Sequence, residues 1–433
     1  MAKLLEKQRY KCALAAMLSV QAIDNAIPIL HAGPGCGNKL SDSATGTSGH
    51  FAATIFPCTN VNEKDVVFGG EKKLRSTIEN ALKVIDADLY MVLTGCSQEI
   101  VGDDAGEIVS EFEDCGKSVL YVSTPGFKGN NYKGHEWVID AIIDQYLEPS
   151  DKKQKGLVNI WADVPYQDIF WHGNLRKLEK LISELGLIPN TIFGHKRGIE
   201  NIKKIPEAEF NLLVSPWVGL ENVKRMEKKF GTPYLHYPTL PVGAFETSKF
   251  LRTVGEFAGI TKDKVEAIIN EKEEYYYYFI ERFANTFLET RVMSRRFSVV
   301  SDAQYALGLT KFLVNDLGLF PATQYVTDDT PEEYQEAIKG YFKDLNYGIE
   351  SEVRFETDGY KIHQDIEKTD YHGYPLILGS YWEKELGERT KAHFLSVSNP
   401  ANERMVINSS YVGYDGGLKL IEDIYSVVKT RFN

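Results

Sequence analysis

The sequence predicts an α/β protein of three units, each a mostly parallel sheet flanked by helices. Short, nearly continuous apolar runs alternate with helical periods along the chain, and a run that is apolar at every position suits a strand covered on both faces. Between the runs stand amphipathic stripes. Leu74, Ile78, Leu82 and Ile85 form one, and Leu420, Ile424 and Val428 another, at the spacing of a single helix face. The chain has 433 residues, more than one core organises; a prior of ~150 residues per domain gives about three.

The first unit is expected over 1–150. An apolar run at 26–30 stops at His31 ahead of a glycine turn, and strands are expected at 89–93 (LYMVL) and 119–122 (VLYV). A polar stretch with turn residues, 148–156 (EPSDKKQKG), precedes a fresh strand at 158–161 and marks the first boundary. The second unit, 151–292, continues with strands at 212–214 and 234–236 and closes on a long helix from about Lys262 to Val292. The third, 293–433, opens on a strand at 297–300 and has another at 376–378. Strand–helix alternation of this kind gives parallel sheets with helices on both faces.

Bulk composition removes several function classes. With 43% hydrophobic and 25% charged residues the chain is an ordinary globular one. A net charge of -12 without a clustered basic stripe argues against nucleic-acid binding, because phosphate contacts need grouped Lys and Arg. No apolar run approaches the ~20 residues that span a bilayer. The opening MAKLLEKQRYK lacks the apolar centre of a secretory signal. A cytoplasmic protein without a membrane partner is expected.

The five cysteines, Cys12, Cys36, Cys58, Cys96 and Cys115, all lie in the first 115 residues. An odd count in a cytoplasmic chain argues against a disulfide framework and leaves catalytic thiols, metal ligands or buried filler. Three of them sit where an apolar run ends: Cys36 after the Gly33-Pro34-Gly35 turn, Cys58 in ATIFPCTNVNEKD, and Cys96 after MVLTG. Ligands of open α/β sheets gather beyond the carboxyl ends of the strands, so these thiols could converge. Soft thiolates are the usual ligands of iron–sulfur clusters, and nearby glycines let backbone N–H groups approach. The gaps of 21 and 37 residues are far longer than the paired spacing of a zinc knuckle. Three is also one short of the four thiolates a closed cubane takes, so another residue or another chain would supply the fourth. By spacing alone, three buried structural cysteines remain the simpler reading. Cys12, in YKCALAAMLSV, is expected on an amphipathic helix and Cys115 at a helix end, both as structural residues.

The residues around the thiols shift that balance. His31-Ala32-Gly33-Pro34-Gly35-Cys36 resembles the H-G-x-x-G-C segment of nitrogenase component 1 proteins, with Ala32 for the first glycine. Val67-Phe68-Gly69-Gly70-Glu71-Lys72-Lys73-Leu74 is similar to the family's V-F-G-G-x-x-x-L stretch, and Thr94 to Asp104 (TGCSQEIVGDD) to its T-x-C-x-x-E-x-I-G-D-D motif. Thr124-Pro125-Gly126-Phe127 resembles T-P-x-F, Phe230 to Tyr234 and Pro241-Val242-Gly243 the G-x-P and P-x-G elements, and Val412 to Gly417 the closing G-Y-x-G helix start.

The resemblance implies three Rossmann-like domains and a role as one subunit of an oxidoreductase. It implies Cys36, Cys58 and Cys96 as ligands of an iron–sulfur cluster at the subunit interface, either an eight-iron P-cluster or a four-iron cubane. It further implies an α-like component 1 partner, most simply in an α2β2 assembly, and an ATP-dependent iron protein as electron donor. No nucleotide fingerprint occurs here, so ATP is expected on that donor alone. The family's α-type subunit holds a second cofactor through a mid-chain cysteine; this chain has none after Cys115 and resembles the β type. Two departures stand out. A serine that ligates the oxidised P-cluster in molybdenum-type β subunits is Gly126 here, and the chain is shorter than a typical β subunit of that type. An alternative-metal enzyme, a cofactor-assembly scaffold, a reductase of another substrate and a homodimer therefore stay open.

Smaller features carry paired readings. Gly102-Asp103-Asp104 opens a helix, where the acids either cap it or order the Cys96 loop. Residues 128–134 are expected as a solvated turn rather than an anion loop, and Tyr275 to Tyr278 as tyrosines wrapping an interdomain helix. None of the nine histidines is assigned as a ligand.

Overall fold

A computed structural model describes residues 5–45, 56–289 and 294–430. Every strand pairing in it is parallel. The first sheet has the order β1 (Ala26–His31), β2 (Leu89–Thr94), β3 (Ser118–Ser123). The second, in order β5-β4-β6-β7, comprises β4 (Leu157–Trp161), β5 (Ile188–Asn190), β6 (Phe210–Val214) and β7 (Tyr234–Tyr237). The third is built from β8 (Arg296–Ser301), β9 (Phe320–Pro321), β10 (Gln324–Val326), β11 (Val353–Phe355), β12 (Leu376–Gly379) and β13 (His393–Ser396). Its order is β11-β10-β8-β12-β13, with β9 also beside β8. The chain is thus an α/β protein of parallel, Rossmann-like sheets flanked by helices. The long helix runs over Lys262–Glu289, and the expected boundary at 292 lies outside the described residues.

The continuous apolar runs have a use that strand alternation makes plain. In β2, Leu89, Met91 and Leu93 face one core, which they share with Trp161 and Leu213 of the second sheet. Tyr90 and Val92 point to the opposite face, where Leu74, Ile78 and Ile108 of flanking helices cover them. The middle sheet repeats the pattern: Phe210, Leu212 and Val214 join Phe297, Val299, Leu376 and Leu378 of the third sheet in another core. Strands such as β2 and β6 therefore bury both faces against different neighbours, which is why period-two alternation of polarity is absent from them. The Leu420, Ile424, Val428 stripe is fully buried on the closing helix Gly413–Thr430. That helix begins beside residues 241–242: Val242 bridges Val412, and Gly413 N–H donates to Pro241 O at 2.8 Å.

The tyrosine run departs from expectation. Only Tyr276 is buried, with its hydroxyl donating to Asp316 Oδ1 at 3.2 Å, while Tyr275, Tyr277 and Tyr278 are exposed. One turn of the helix faces inward at a single position in four.

Near its start the chain is fastened to the third sheet's unit by a fully buried ion pair, Arg9 with Glu383, which His363 also joins. Burial alone would push the Glu383 carboxyl pKa up. The Arg9 guanidinium, His363 and the Ser380 N–H overcome it and hold the carboxyl at about 2, against 4.5 ordinarily. A carboxyl depressed in the folded state stabilises above its unfolded pKa and loses that contribution as pH falls. We therefore expect acid titration from about pH 4.5 towards 2 to weaken this fastening, and Glu383→Gln to cost about 3–5 kcal/mol at neutral pH. Denaturant unfolding at pH 7 and pH 3 checks both: the penalty of the substitution should shrink at the lower pH.

Candidate functional site

The carboxyl ends of the first sheet are level. Register pairs His31 with Thr94 and Thr94 with Ser123, so the segments that follow leave from one edge. After β1 comes the helix Pro34–Thr45 with Cys36 in its first turn. After β2, Cys96 is the first residue of the helix Cys96–Val101. After β3 comes the turn holding Gly126. Cys58 reaches the same edge by another route. Residues 57–59 run alongside β1, with Leu30 N–H donating to Pro57 O at 2.8 Å, Thr59 N–H donating to Leu30 O at 2.9 Å, and a parallel bridge between Leu30 and Cys58.

Cys36, Cys58 and Cys96 thus lie along one edge: Cys36 and Cys96 are exposed, and Cys58 is half-buried against the neighbouring core. Partial desolvation pushes the Cys36 thiol pKa up, and negative charge on Cys12, Cys96 or Cys58 pushes it further. Desolvation raises Cys58 as well, opposed by the Asn60 N–H, 3.5 Å from its Sγ. Gly126 N–H donates to Cys96 Sγ at 3.1 Å. Among the described residues no group of three or more His, Cys, Asp or Glu is gathered tightly enough to share one metal ion. Cys115 lies away from this edge, exposed in the turn before β3.

Two carboxylates, neither given a definite role from the sequence, organise the edge. Glu99 sits on the Cys96 helix and accepts from the hydroxyls of Thr94 and Ser123 (2.6 Å for Ser123) and from Lys128 Nζ at 2.8 Å. It ties the ends of β2 and β3 to the Gly126 turn. Burial would raise its pKa; Lys128, Ser123 and Thr94 outweigh that and lower it, so the carboxylate stays ionised. Asp103 accepts from His31 Nε2 at 3.0 Å and from Gly70 N–H at 2.9 and 3.0 Å. Burial holds the His31 imidazole below its ordinary pKa against the pull of Asp103. The neutral ring then carries its hydrogen on Nε2, facing a group that only accepts, and Nδ1 is left to accept from the Thr59 hydroxyl at 3.2 Å. A Cβ on Gly70 would stand 2.8 Å from both Asp103 Oδ2 and His31 Cε1, so only glycine fits. The adjacent Asp104 does something different: its side chain caps the helix Ala105–Ser110 by accepting from Glu107 N–H at 2.9 Å. The capping reading is realised by Asp104, while Asp103 joins His31 and Gly70. The signal for Asp103 was its pairing with His31, which proximity in sequence does not show.

Two expectations are corrected here. Cys12 is neither helical nor buried: it is extended (φ -74, ψ 163), precedes the short helical turn Ala13–Ala15 and is exposed. Residues 128–134 are not a solvated turn. Asn130, Asn131 and Tyr132 are buried, and Asn130 caps the helix Asn131–Ala141. The cause is the same for both, because residues 11–13 lie against 129–131 and cover them.

Comparison with known proteins places this geometry. A family profile described as nitrogenase component 1 type oxidoreductase matches residues 12–429. The nitrogenase molybdenum-iron protein beta chain of Clostridium pasteurianum is 25% identical over 96% of this chain and 91% of its own length. A component of the light-independent protochlorophyllide reductase of Angiopteris evecta is 23% identical over 83% of this chain and 70% of its own. A solved structure titled "Nitrogenase Cp1 at pH 6.5" superposes with a TM-score of 0.84 over the whole chain and 95% of its own, at 20% identity, a likeness of fold.

The contrast between the two acids is measurable. Asp103→Ala strands the Gly70 N–H and the His31 ring, and we expect a loss of about 2–3 kcal/mol, the range for hydrogen bonds to a charged group. Asp104→Ala removes one cap and should cost about 1 kcal/mol. Equilibrium denaturation of the two variants tests the order.

Proposed function

As a member of the nitrogenase component 1 type oxidoreductases, matched over residues 12–429, the chain is a nitrogenase-type oxidoreductase subunit, and we propose that it is the β-like one. In this reading Cys36, Cys58 and Cys96 ligate an iron–sulfur cluster at the interface with an α-like partner in a cytoplasmic α2β2 complex. The cluster, an eight-iron P-cluster or a four-iron cubane, would take electrons from an ATP-dependent iron protein and pass them towards a cofactor in the partner. The ligands belong to the first of three units, 1–150, 151–292 and 293–433.

One observation carries the reading: three thiols from separate segments stand at one level edge of a parallel sheet, Cys36 and Cys96 exposed and Cys58 half-buried. The residues fit such a group. The donors are soft sulfurs, and backbone N–H groups of Gly126 and Asn60 lie at Cys96 and Cys58 Sγ, as hydrogen bonds to cluster sulfurs require. Among the described residues nothing lies within 4 Å of where a Cβ on Gly33 or Gly35 would stand. When bound, the group supplies one-electron storage. The chain's own part is to hold the thiols apart at fixed positions and to keep carboxylates away from them. Glu99 and Asp103 are both turned into hydrogen bonds with the sheet.

A second reading, a reductase of a substrate other than dinitrogen, is favoured by Gly126 at the serine position and by the likeness to the protochlorophyllide reductase component. Assay of the anaerobic complex with its donor for dinitrogen, acetylene and other reductions separates the two. A scaffold would give no turnover and would release its cluster to an apo-acceptor. For the ligand set, Cys36→Ala, Cys58→Ala and Cys96→Ala should each lose iron and alter the electron paramagnetic resonance spectrum, whereas Cys115→Ala should do neither. Full iron in all three variants would remove the proposal.

A further inference from the structure

Near its start the chain forms a strap between two units. Gly359 N–H donates to Glu6 O at 2.8 Å, and Arg9 pairs with Glu383. The strap then crosses to the first unit. Lys11 N–H donates to Asn131 Oδ1 at 2.6 Å, Lys11 O accepts from Asn131 N–H at 2.9 Å, and Ala13 N–H donates to Gly129 O at 3.1 Å. Cys12 stands between these bonds, in an antiparallel bridge with Asn130. Its backbone is fixed on both sides, while its side chain is exposed.

That position lies over Gly126. A Cβ built on Gly126 would stand 2.7 Å from Cys12 Cβ and 3.5 Å from Cys96 Sγ. Cys12 and the Cys96 sulfur therefore flank one small space, and a side chain on residue 126 cannot share it with the one on residue 12. A buried cysteine can be apolar filler; Cys12 is instead exposed, with its Cβ over Gly126.

On the reading that Cys36, Cys58 and Cys96 hold an iron–sulfur group, we propose that Cys12 is a fourth ligand from the same chain, its sulfur binding an iron of that group across the space Gly126 leaves clear. Forming the Sγ–Fe bond releases the thiol proton to solvent and changes no oxidation state. Four thiolates are the number a cubane takes, and Cys12 brings this chain's own count to four.

The test uses the anaerobically purified complex with the partner that accompanies it, and reads iron content, the electron paramagnetic resonance spectrum, the reduction potential and iodoacetamide mapping. In the unsubstituted complex, alkylation of Cys12 is expected to be lost when iron is present and regained after a chelator strips it. Cys12→Ala should change the spectrum and shift the potential. Gly126→Ala, which presses on Cys12 Cβ, should reproduce the spectral change with all thiols present. If Cys96→Ala loses its iron while Cys12 alkylates equally with and without iron and Cys12→Ala leaves spectrum and potential unchanged, the three-ligand site stands and Cys12 is not part of it. If Cys96→Ala keeps full iron, the underlying ligand set is wrong and this proposal falls with it. The alkylation comparison needs no variant, so a substitution that fails to fold still leaves the question decided.

Discussion

The level ending of β1, β2 and β3 is the constraint from which the site follows. Parallel strands with both faces buried cannot slip by one residue without turning each apolar side chain to the wrong core, so the two cores on either side of β2 lock the register. A slip would also carry a thiol about 3.3 Å along the strand direction, enough to break contact with a neighbouring ligand. The sulfur positions are thus set by packing several residues away, and the loops that bear them need little stiffness of their own.

Electrostatics at the edge is arranged around the same need. On the proposed iron–sulfur reading, ionised acids beside the ligating thiolates would repel them. Glu99 is instead neutralised by Lys128 and absorbed by hydroxyls, and Asp103 is spent on His31 and Gly70. Both have their oxygens taken up by donors, so neither is left bare at the edge. They act as pins: Glu99 holds β2, β3 and the Gly126 turn, and Asp103 holds β1 and the segment at Gly70. Peptide N–H groups of Gly126 and Asn60 point at the Cys96 and Cys58 sulfurs, and the Cys58 thiol in turn donates to Ala32 O at 3.4 Å.

Much of this was legible in the sequence because the buried strands are long and apolar; β2, β3, β4, β6 and β8 lie where the apolar runs do. Strands that escaped, such as β5, β9, β10 and β11, span two or three residues at sheet margins or beside a central strand, and their composition carries little pattern. The site was legible in part. Cysteines at the ends of apolar runs announced themselves, and the acidic pair stood out. What Asp103 binds did not, since His31 and Gly70 come from other elements. Cys12 was misplaced because the apolar residues after it read as one helix, whereas the extended conformation at residue 12 is imposed by segment 129–131 from far along the chain. Local pattern cannot report a partner that distant, and the burial of Asn130 to Tyr132 was hidden for the same reason.

The strap at residues 6–13 has a mechanical side. It is clamped at Arg9 to one unit and at Lys11 and Ala13 to another, and three residues reach at most about 11 Å when fully drawn out. So short a tether has almost no slack. Any turning of the third sheet's unit away from the first pulls on residue 12 through this tether. Residue 12 is thereby a sulfur position on this edge that senses the relative pose of the two units.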